Sequence, residues 1–174
     1  HLPLKRDMLI EYLHLIQDKY NQIRKKHLAA LANLLKIPMA EAFEVATFYA
    51  HFDVIDDEDE SLPPTTIRVC DSLTCELFGA IDLMKKLEST LDKKKVRVVR
   101  APCMGLCDKA PACEVGHNHL EKFSLKDVEN ALSKNEVHPK EVGGIDFTKY
   151  TEDDGYKTLL KCYDGKLSVD EVID

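Results

Sequence analysis

The stretch TIRVCDSLTCELFGAIDLMKKLESTL, residues 66–91, is the most informative about the fold. A strand pattern changes to a helix pattern within it. Its β-branched opening, TIRVC, predicts a short strand. Asp71, Ser72 and Thr74 follow, and each of them is a candidate N-cap for a helix. The stretch therefore predicts a strand that leads directly into a helix.

The predicted helix covers residues 75–91 and contains Gly79. A glycine inside a helix costs about 1 kcal/mol relative to alanine, so we expect the backbone to pack closely at this point. The next apolar run, KVRVVRA at residues 95–101, predicts a second strand. A strand, a helix and a strand of these lengths are typical of a right-handed crossover between parallel strands.

The segments that follow complete the sheet. ACEVG and HLEKF flank a turn at Gly116, and this arrangement predicts a β-hairpin. SLKDVENALS, residues 124–133, predicts a closing helix in which Ser124 and Asp127 have the spacing of a capping box. Residues 65–134 are therefore expected to form a thioredoxin-like α/β domain.

The N-terminal region is expected to be helical, since apolar residues recur there at steps of three and four. The first apolar stripe consists of Met8, Leu9, Leu13, Ile16, Tyr20 and Ile23. The second consists of Leu28, Leu31, Leu34 and Leu35. Pro38 stands where a third helix would begin. These patterns predict a bundle of three helices.

The chain divides into four regions in this interpretation. They are a helical bundle at residues 1–52, an acidic linker with prolines at 53–64, the α/β domain at 65–134 and a short helical tail at 135–174. In the tail, Gly143 and Gly144 predict a flexible joint, and DDGYKTLLKCYDG and SVDEVID predict two short helices. The expected fold class is α+β.

Composition argues against two kinds of partner. The formal net charge is −7, and an acidic chain repels phosphate backbones, so no nucleic-acid partner is expected. No run of eighteen apolar residues occurs, so direct insertion into a membrane is not expected. The acidic run at residues 56–60 is expected to be a solvated linker that carries no chemistry.

Four of the six cysteines lie in two short loops, each directly after a predicted strand. Cys70 and Cys75 form a C-x4-C pair, and Cys103 and Cys107 form a C-x3-C pair. Because the carboxyl ends of parallel strands meet at one edge of a sheet, both loops are expected at the same edge. The two pairs are therefore candidates for one shared site.

Three kinds of cysteine chemistry can explain these pairs. A disulfide framework is typical of smaller secreted domains that are denser in cysteine. A structural zinc site favours tight C-x2-C spacing, although longer spacers occur. A [2Fe–2S] cluster fits best, because it needs four thiolates and is larger than one ion, so two separate loops can enclose it. The helix start at Cys75 and the flexible Gly105 would also bring backbone amides toward the sulfurs.

The other candidate ligands are given structural roles. Cys113 and Cys162 are expected to behave as small buried hydrophobic residues. His117 and His119 form an H-x-H near the hairpin, and they are expected to face solvent or a partner rather than a metal. No residue is predicted to be catalytic.

The cysteine pattern and the helices together resemble a known family. The pattern Cys70-x4-Cys75 followed by Cys103-Met-Gly-Leu-Cys107 is similar to that of the thioredoxin-like [2Fe–2S] ferredoxin subunit of NADH:quinone oxidoreductase, complex I. The helical stretch HLIQDKYNQIRKKHLAALANLLKIPMAEAFEVATFY resembles the N-terminal bundle of that family. RVCDSLTCELFGA, RAPCMGLCDKAP and EVGHNHL are most similar to the N-terminal module of fused diaphorase subunits, which occur in bacterial NAD-dependent formate dehydrogenases and NAD-reducing hydrogenases.

The resemblance implies an electron-transfer module whose [2Fe–2S] cluster is held by the four paired cysteines. The implied partners are an adjacent FMN- and NADH-binding flavoprotein module, with which the cluster would exchange single electrons, and further iron–sulfur subunits of the parent complex. FMN and NAD(H) are expected only on the partner, although the tail resembles the start of the FMN/NADH-binding module. A cytoplasmic location is also implied.

Formate dehydrogenase is the parent complex that the resemblance implies, with complex I or the diaphorase of an NAD-reducing hydrogenase as the alternative. A hypothesis of another class is a non-redox structural or interaction module that has lost its cluster or binds zinc. Retention of all four paired cysteines favours the electron-transfer module.

Overall fold

The protein is described by a computed structural model over residues 2–139 and 143–173. The chain forms two compact units, with the boundary after Pro139. The first unit contains the helical region and the sheet, and the second contains only helices among its described residues. The chain is therefore a mixture of helices and one larger sheet, in agreement with the expected α+β class.

The first unit begins with three helices, as the apolar stripes predict. They are α1 (Leu9–Tyr20), which follows a 3-10 turn at Arg6–Met8, α2 (Lys25–Leu35) and α3 (Met39–Phe48). Their apolar faces meet in one core around Leu13, Leu28 and Ala42, which are fully buried. This core stabilises the helices by removing apolar surface from water.

Ile23 does not belong to the first helix, contrary to the predicted stripe. The helix ends at Asn21, which has a left-handed backbone with φ of 58°. Ile23 instead lies in a two-residue strand β1 (Ile23–Arg24), which pairs in parallel with β2 (Val54–Ile55). Its side chain is fully buried. The sequence therefore predicts correctly that Ile23 is a core residue, but it wrongly places the residue in a helix.

The four-stranded sheet has the order β4–β3–β5–β6. Its strands are β3 (Thr65–Cys70), β4 (Val96–Ala101), β5 (Cys113–Val115) and β6 (Asn118–Leu120). Strands β3 and β4 are parallel, and β5 and β6 form an antiparallel hairpin beside β3. The predicted crossover unit and hairpin are both confirmed.

The crossover contains two helices, whereas the sequence predicts one. Helix α4 (Leu73–Leu77) is followed by α5 (Ala80–Thr90), and Gly79 separates them with a φ of +85°. A β-carbon at Gly79 would meet nothing within 4 Å, so close packing is not the reason for this glycine. The reason is the left-handed backbone at the break, which glycine adopts more easily than other residues.

The closing helix α6 (Leu125–Ser133) begins with the predicted capping box. The Ser124 backbone N–H donates to the Asp127 carboxylate at 2.9 Å, and the Asp127 N–H donates to the Ser124 hydroxyl at 3.4 Å. Helices α5 and α6 cover the sheet, and Met84, Leu87 and Val128 pack on Ile67 and other buried residues of the strands. This second core fixes β3, from which the first cysteine loop emerges.

Polar contacts join the helical region to the sheet. The Arg68 side chain on β3 is nearly buried and lies 3.2 Å from the Asp53 carboxylate, which also forms an ion pair with Arg97 at 2.6 Å. Gln17 on α1 donates to the same Asp53 carboxylate at 3.1 Å and accepts from the Asp53 N–H at 3.0 Å. Buried polar groups need such partners, so these contacts fix how the helices sit on the sheet.

The acidic stretch at residues 56–60 is exposed, as expected of a linker, but its backbone is bound to the helical region. The Arg24 guanidinium donates to the carbonyl oxygens of Asp56, Asp57 and Asp59 at 2.8–3.0 Å. The linker is therefore held against the start of α2, where carbonyl groups meet a cation.

The second unit contains α7 (Phe147–Glu152), α8 (Lys157–Tyr163) and α9 (Asp170–Ile173). The sequence predicts the last two helices, but it misses α7. The Ser168 N–H donates to the Glu171 carboxylate at 2.8 Å, and the Glu171 N–H donates to the Ser168 hydroxyl at 3.3 Å, so a capping box opens α9. Asp146 caps α7 by accepting from the Lys149 N–H at 2.8 Å. Across the described ranges, 2–139 and 143–173, no helix combines the length and the apolar character needed to cross a membrane.

Candidate metal centre

The two cysteine loops leave the same edge of the sheet. Cys70 is the last residue of β3, and Cys75 lies within α4 directly after it. Cys103 follows the end of β4, and Cys107 opens a 3-10 turn at Cys107–Lys109. Because β3 and β4 are parallel neighbours with Cys70 opposite Ala101, both loops start side by side. The sheet therefore brings the two pairs together, as the sequence predicts.

The pairs differ in exposure to solvent. Cys70 and Cys75 are 2% exposed and belong to the core between the sheet and its helices. Cys103 and Cys107 are exposed on the second loop. The site therefore has a side anchored in protein and a side open to water or to a partner.

The sulfur atoms of the second loop lie close together and accept hydrogen bonds. The Sγ atoms of Cys103 and Cys107 are 3.5 Å apart, and the Gly105 N–H donates to Cys103 Sγ at 3.4 Å. Gly105 has a φ of +77°, which a glycine adopts without strain. This turn directs a backbone amide at sulfur, an arrangement that stabilises a thiolate.

Residues of the first loop face the sulfurs of the second. The Gly105 amide, the Cys107 thiol and then the Ser72 hydroxyl lower the pKa of Cys103. Cys107 has a raised pKa because of its hydrogen bond with Cys103 and the charge of that neighbour, while the Thr74 hydroxyl acts in the opposite direction. The pKa of Cys75 is raised by burial and by the nearby Cys70, against a hydrogen bond from the Ala112 backbone. The thiols of the two loops therefore lie close enough to influence one another.

Ser72 and Thr74 were predicted only as helix caps. Ser72 is the N-cap residue of α4, but its side chain makes no capping hydrogen bond. Both hydroxyls are instead close enough to the second cysteine loop to lower thiol pKa values there. The sequence does indicate that Ser72 and Thr74 lie near the site. Both residues stand between the two cysteines of the C-x4-C pair, and residues between two ligands must lie near the group that the ligands bind.

The separation of the Cys103 and Cys107 sulfurs suits two thiolates on one metal atom. Two sulfur ligands of a tetrahedral zinc ion with Zn–S bonds of about 2.3 Å would lie about 3.8 Å apart, and the observed separation is 3.5 Å. Two thiolates on one iron of a [2Fe–2S] cluster are similarly close. Cys103 and Cys107 can therefore bind the same metal atom.

Cys113 is separate from this set. It lies on β5 opposite Val69, is fully buried, and has a pKa raised mainly by burial and not by any other cysteine. The prediction of a small buried hydrophobic residue is confirmed for Cys113. Cys162 lies on α8, as the sequence predicts, but it is partly buried and not fully buried.

His117 and His119 do not act together. His119 lies on β6 opposite Glu114 and is exposed. His117 lies in the hairpin turn, where its Nε2 is 3.4 Å from Asp18 Oδ1 on α1. Neither histidine is part of the cysteine set, and the contact of His117 with α1 is a long-range feature that the sequence does not signal.

Comparison with known proteins identifies a matching family and several relatives. The sequence profile described as "Thioredoxin-like [2Fe-2S] ferredoxin" matches residues 1–136. An NADH-quinone oxidoreductase subunit from Aquifex aeolicus is 32% identical over 142 residues, which cover 77% of this chain and 86% of that protein. The corresponding NADH-quinone oxidoreductase subunit from Rickettsia felis is 29% identical over 112 residues, which cover 60% of this chain and 64% of that protein.

The fold is also found in a larger solved structure. A chain of NAD+-reducing [NiFe]-hydrogenase in the air-oxidized state is similar with a TM-score of 0.56 and 19% sequence identity. The similarity covers 74% of this chain but only 23% of the hydrogenase chain. At this identity the likeness shows the fold alone, and this chain spans about a quarter of the protein that it matches.

Proposed function

Because this chain belongs to the thioredoxin-like [2Fe–2S] ferredoxin family, we propose that it is the electron-transfer module of an NAD-linked dehydrogenase complex. The cofactor of the family is a [2Fe–2S] cluster. We assign its ligands as two pairs, Cys70 with Cys75 and Cys103 with Cys107. No residue of this chain is assigned a catalytic role.

The observation that carries this proposal is the convergence of the four thiols at one edge of the sheet. A [2Fe–2S] cluster, when bound, supplies the transfer of one electron at a time. The buried thiols of Cys70 and Cys75 would anchor it on the core, and the Gly105 amide would stabilise thiolate charge on the second loop. The exposed thiols of Cys103 and Cys107 leave one side accessible to a redox partner.

We propose that the partner docks beside the cluster on the surface of α4. Leu73, Leu77 and Phe78 are between 63% and 77% exposed, although they lie next to the buried Cys75. A cluster of apolar side chains exposed at the surface commonly marks an interaction site. The proposed partner is the FMN- and NADH-binding flavoprotein module, with further iron–sulfur subunits completing the complex.

The regions of the chain take distinct roles in this proposal. Residues 65–134 would carry the cluster, residues 1–52 would support the sheet from one side, and residues 53–64 would connect them. Residues 135–174 would lead toward the flavoprotein module, whose beginning they resemble. The described tail has many exposed apolar side chains, among them Phe147 and Tyr163, which is consistent with a segment that packs against a partner.

The finer proposal for the parent complex is an NAD-dependent formate dehydrogenase, based on the similarity of both cysteine loops to its diaphorase. There are two alternatives. The NADH-quinone oxidoreductase relatives favour complex I. The diaphorase of an NAD-reducing hydrogenase is the other alternative, and a solved chain of such an enzyme shares the fold. The native complex can be purified and assayed for NAD+ reduction by formate, NAD+ reduction by hydrogen, and NADH oxidation by quinone. The reaction that it catalyses distinguishes the three parent complexes.

We also propose that the protein works in the reducing environment of the cytoplasm. Cys113 and Cys162 lie outside the proposed ligand set and are free thiols, and cysteines without disulfide partners are typical of a reducing compartment. Detection of the native protein in separated cell fractions tests the cytoplasmic location.

The redox role predicts a dependence on the partner. The isolated cluster-loaded chain is expected to be reduced by dithionite but not by NADH, because FMN and NAD(H) are proposed to bind only on the partner module. After addition of the flavoprotein module, NADH should reduce it, as followed by electron paramagnetic resonance. Reduction by NADH without the partner, or no reduction with it, would argue against the proposal.

A matched pair of surface variants tests the docking face in the same experiment. Leu77→Asp on α4 should slow reduction through the partner while leaving the dithionite-reduced signal unchanged. Leu15→Asp, on an exposed position of α1 with a similar apolar side chain, is the control and should have no effect. Equal rates for the two variants would remove α4 from the docking surface.

A further inference from the structure

A polar cavity lies between the helical region and the start of the sheet, away from the cysteines. Its volume is about 160 Å³, and its lining includes Gln17 on α1, Thr66 on β3 and the hairpin turn at Gly116–His117. Its wall also contains His51, which follows α3. Three parts of the fold therefore contribute polar groups to one space.

Three metal-binding side chains meet in this cavity. Asp18, His51 and His117 each offer one ligand atom, and these atoms all lie within 4.8 Å of one another. His117 Nε2 and Asp18 Oδ1 are 3.4 Å apart. Two ligands of a tetrahedral zinc ion with bonds of about 2.1 Å would be separated by about 3.4 Å, so this pair already has a suitable spacing.

His51 has a nitrogen that needs a partner. Its Nε2 is buried and makes no hydrogen bond to any described residue. An unpaired buried polar atom is costly, and it calls for a specific explanation. A bound metal ion would provide the missing partner.

We propose that Asp18, His51 and His117 form a binding site for a divalent transition-metal ion of the zinc class. Two imidazoles and one carboxylate are a common ligand set for zinc, and the fourth position would be left to water. The site would connect α1, the segment after α3 and the β5–β6 turn. This inference does not depend on the proposed electron-transfer function.

The charges around the cavity also permit a cation. Arg68 lies 3.2 Å from Asp53 and 3.7 Å from Glu114, and Arg97 lies 2.6 Å from Asp53. These two arginines and two carboxylates balance each other, so the Asp18 carboxylate remains as negative charge for the ion. The side chains of Asp18 and His117 are 51% and 41% exposed, which gives an ion access from solvent.

The site is distant from the cysteines, so the two can be measured independently. The cavity lining includes Thr65, Thr66 and Arg68 of β3, whereas Cys70, the last residue of that strand, does not line it. None of the three proposed zinc ligands belongs to either cysteine loop. Binding of zinc in the cavity should leave the absorbance of the cluster unchanged.

Calorimetric titration of Zn²⁺ into chelator-treated, cluster-loaded protein tests the proposal under anaerobic conditions. The wild-type chain is expected to bind one ion in a saturable phase with unchanged cluster absorbance. His117→Gln and Asp18→Asn should each weaken that phase by about tenfold or more, because each removes a ligand. Mg²⁺ should not replace Zn²⁺, since it prefers oxygen ligands.

His119→Gln is the matched control, because it removes a histidine from the same hairpin outside the cavity. This variant should bind Zn²⁺ as the wild type does. Cluster absorbance and circular dichroism of each variant establish that it is folded. The proposal is overturned if the wild type shows no saturable phase, if both ligand variants keep wild-type affinity, or if the control loses binding equally.

Discussion

Replacing any one of the four paired cysteines by serine is expected to reduce the iron content from about two ions per chain to near zero. The variants are Cys70→Ser, Cys75→Ser, Cys103→Ser and Cys107→Ser. A serine hydroxyl is a harder and more weakly acidic donor than a thiol, so it cannot replace a thiolate on iron under ordinary conditions. Iron analysis and visible absorbance after anaerobic purification measure the loss.

The burial of the pairs predicts a second difference among these variants. Serine at Cys70 or Cys75 also places a hydroxyl in the core, where an unpaired polar group costs about 1–3 kcal/mol. Serine at the exposed Cys103 or Cys107 should remove the cluster without that additional cost. Thermal unfolding of the cluster-free proteins should therefore occur at lower temperature for the first pair of variants than for the second.

The controls are cysteines outside the set. Cys113→Ala removes a fully buried thiol that lies on β5, and Cys162→Ser removes a thiol in the second unit. Both variants should keep the full iron content. A colourless Cys113→Ala protein, or a paired-cysteine variant with normal iron content, would show that the ligand assignment is wrong.

Removal of the Asp53 carboxylate is expected to have the largest effect on stability outside the cysteines. In Asp53→Ala the Arg68 guanidinium, which is nearly buried, loses its closest carboxylate, and Arg97 and Gln17 lose a shared acceptor. Breaking a buried pair of this kind costs about 3 kcal/mol. Glu114, at 3.7 Å, would compensate only part of the Arg68 charge. The unfolding midpoint should fall by about 6–12 °C.

An exposed pair offers the control for this variant. Lys25 forms an ion pair with Asp56, and both side chains are about half exposed. Asp56→Ala should leave the unfolding midpoint almost unchanged, since exposed ion pairs contribute little to stability. Circular dichroism of the cluster-loaded proteins at equal scan rate measures both changes. Equal midpoints for the two variants would mean that Asp53 does not join the helices to the sheet.

Much of the site could be predicted because its information is local. The strand TIRVC, the helix after it and the C-x4-C and C-x3-C spacings lie within short stretches of sequence. The rule that parallel strands end at one sheet edge then places both loops together, and the structure confirms that placement.

The features that sequence reasoning missed depend on backbone conformation or on distant residues. Gly79 fits a helical pattern, and only its positive φ shows that it separates two helices. Asp53 and Arg68 come from different regions, so nothing in the local pattern indicates that they pair. The same is true of Asp18, His51 and His117, whose proximity arises from packing of the helical region on the sheet.

We propose that this chain holds a [2Fe–2S] cluster on its four paired cysteines. The direct test of cluster binding is to measure iron and acid-labile sulfide in the anaerobically purified wild-type protein. The expected result is two iron and two sulfide ions per chain, the composition of that cluster. A folded protein without iron and sulfide, with or without bound zinc, would contradict the claim.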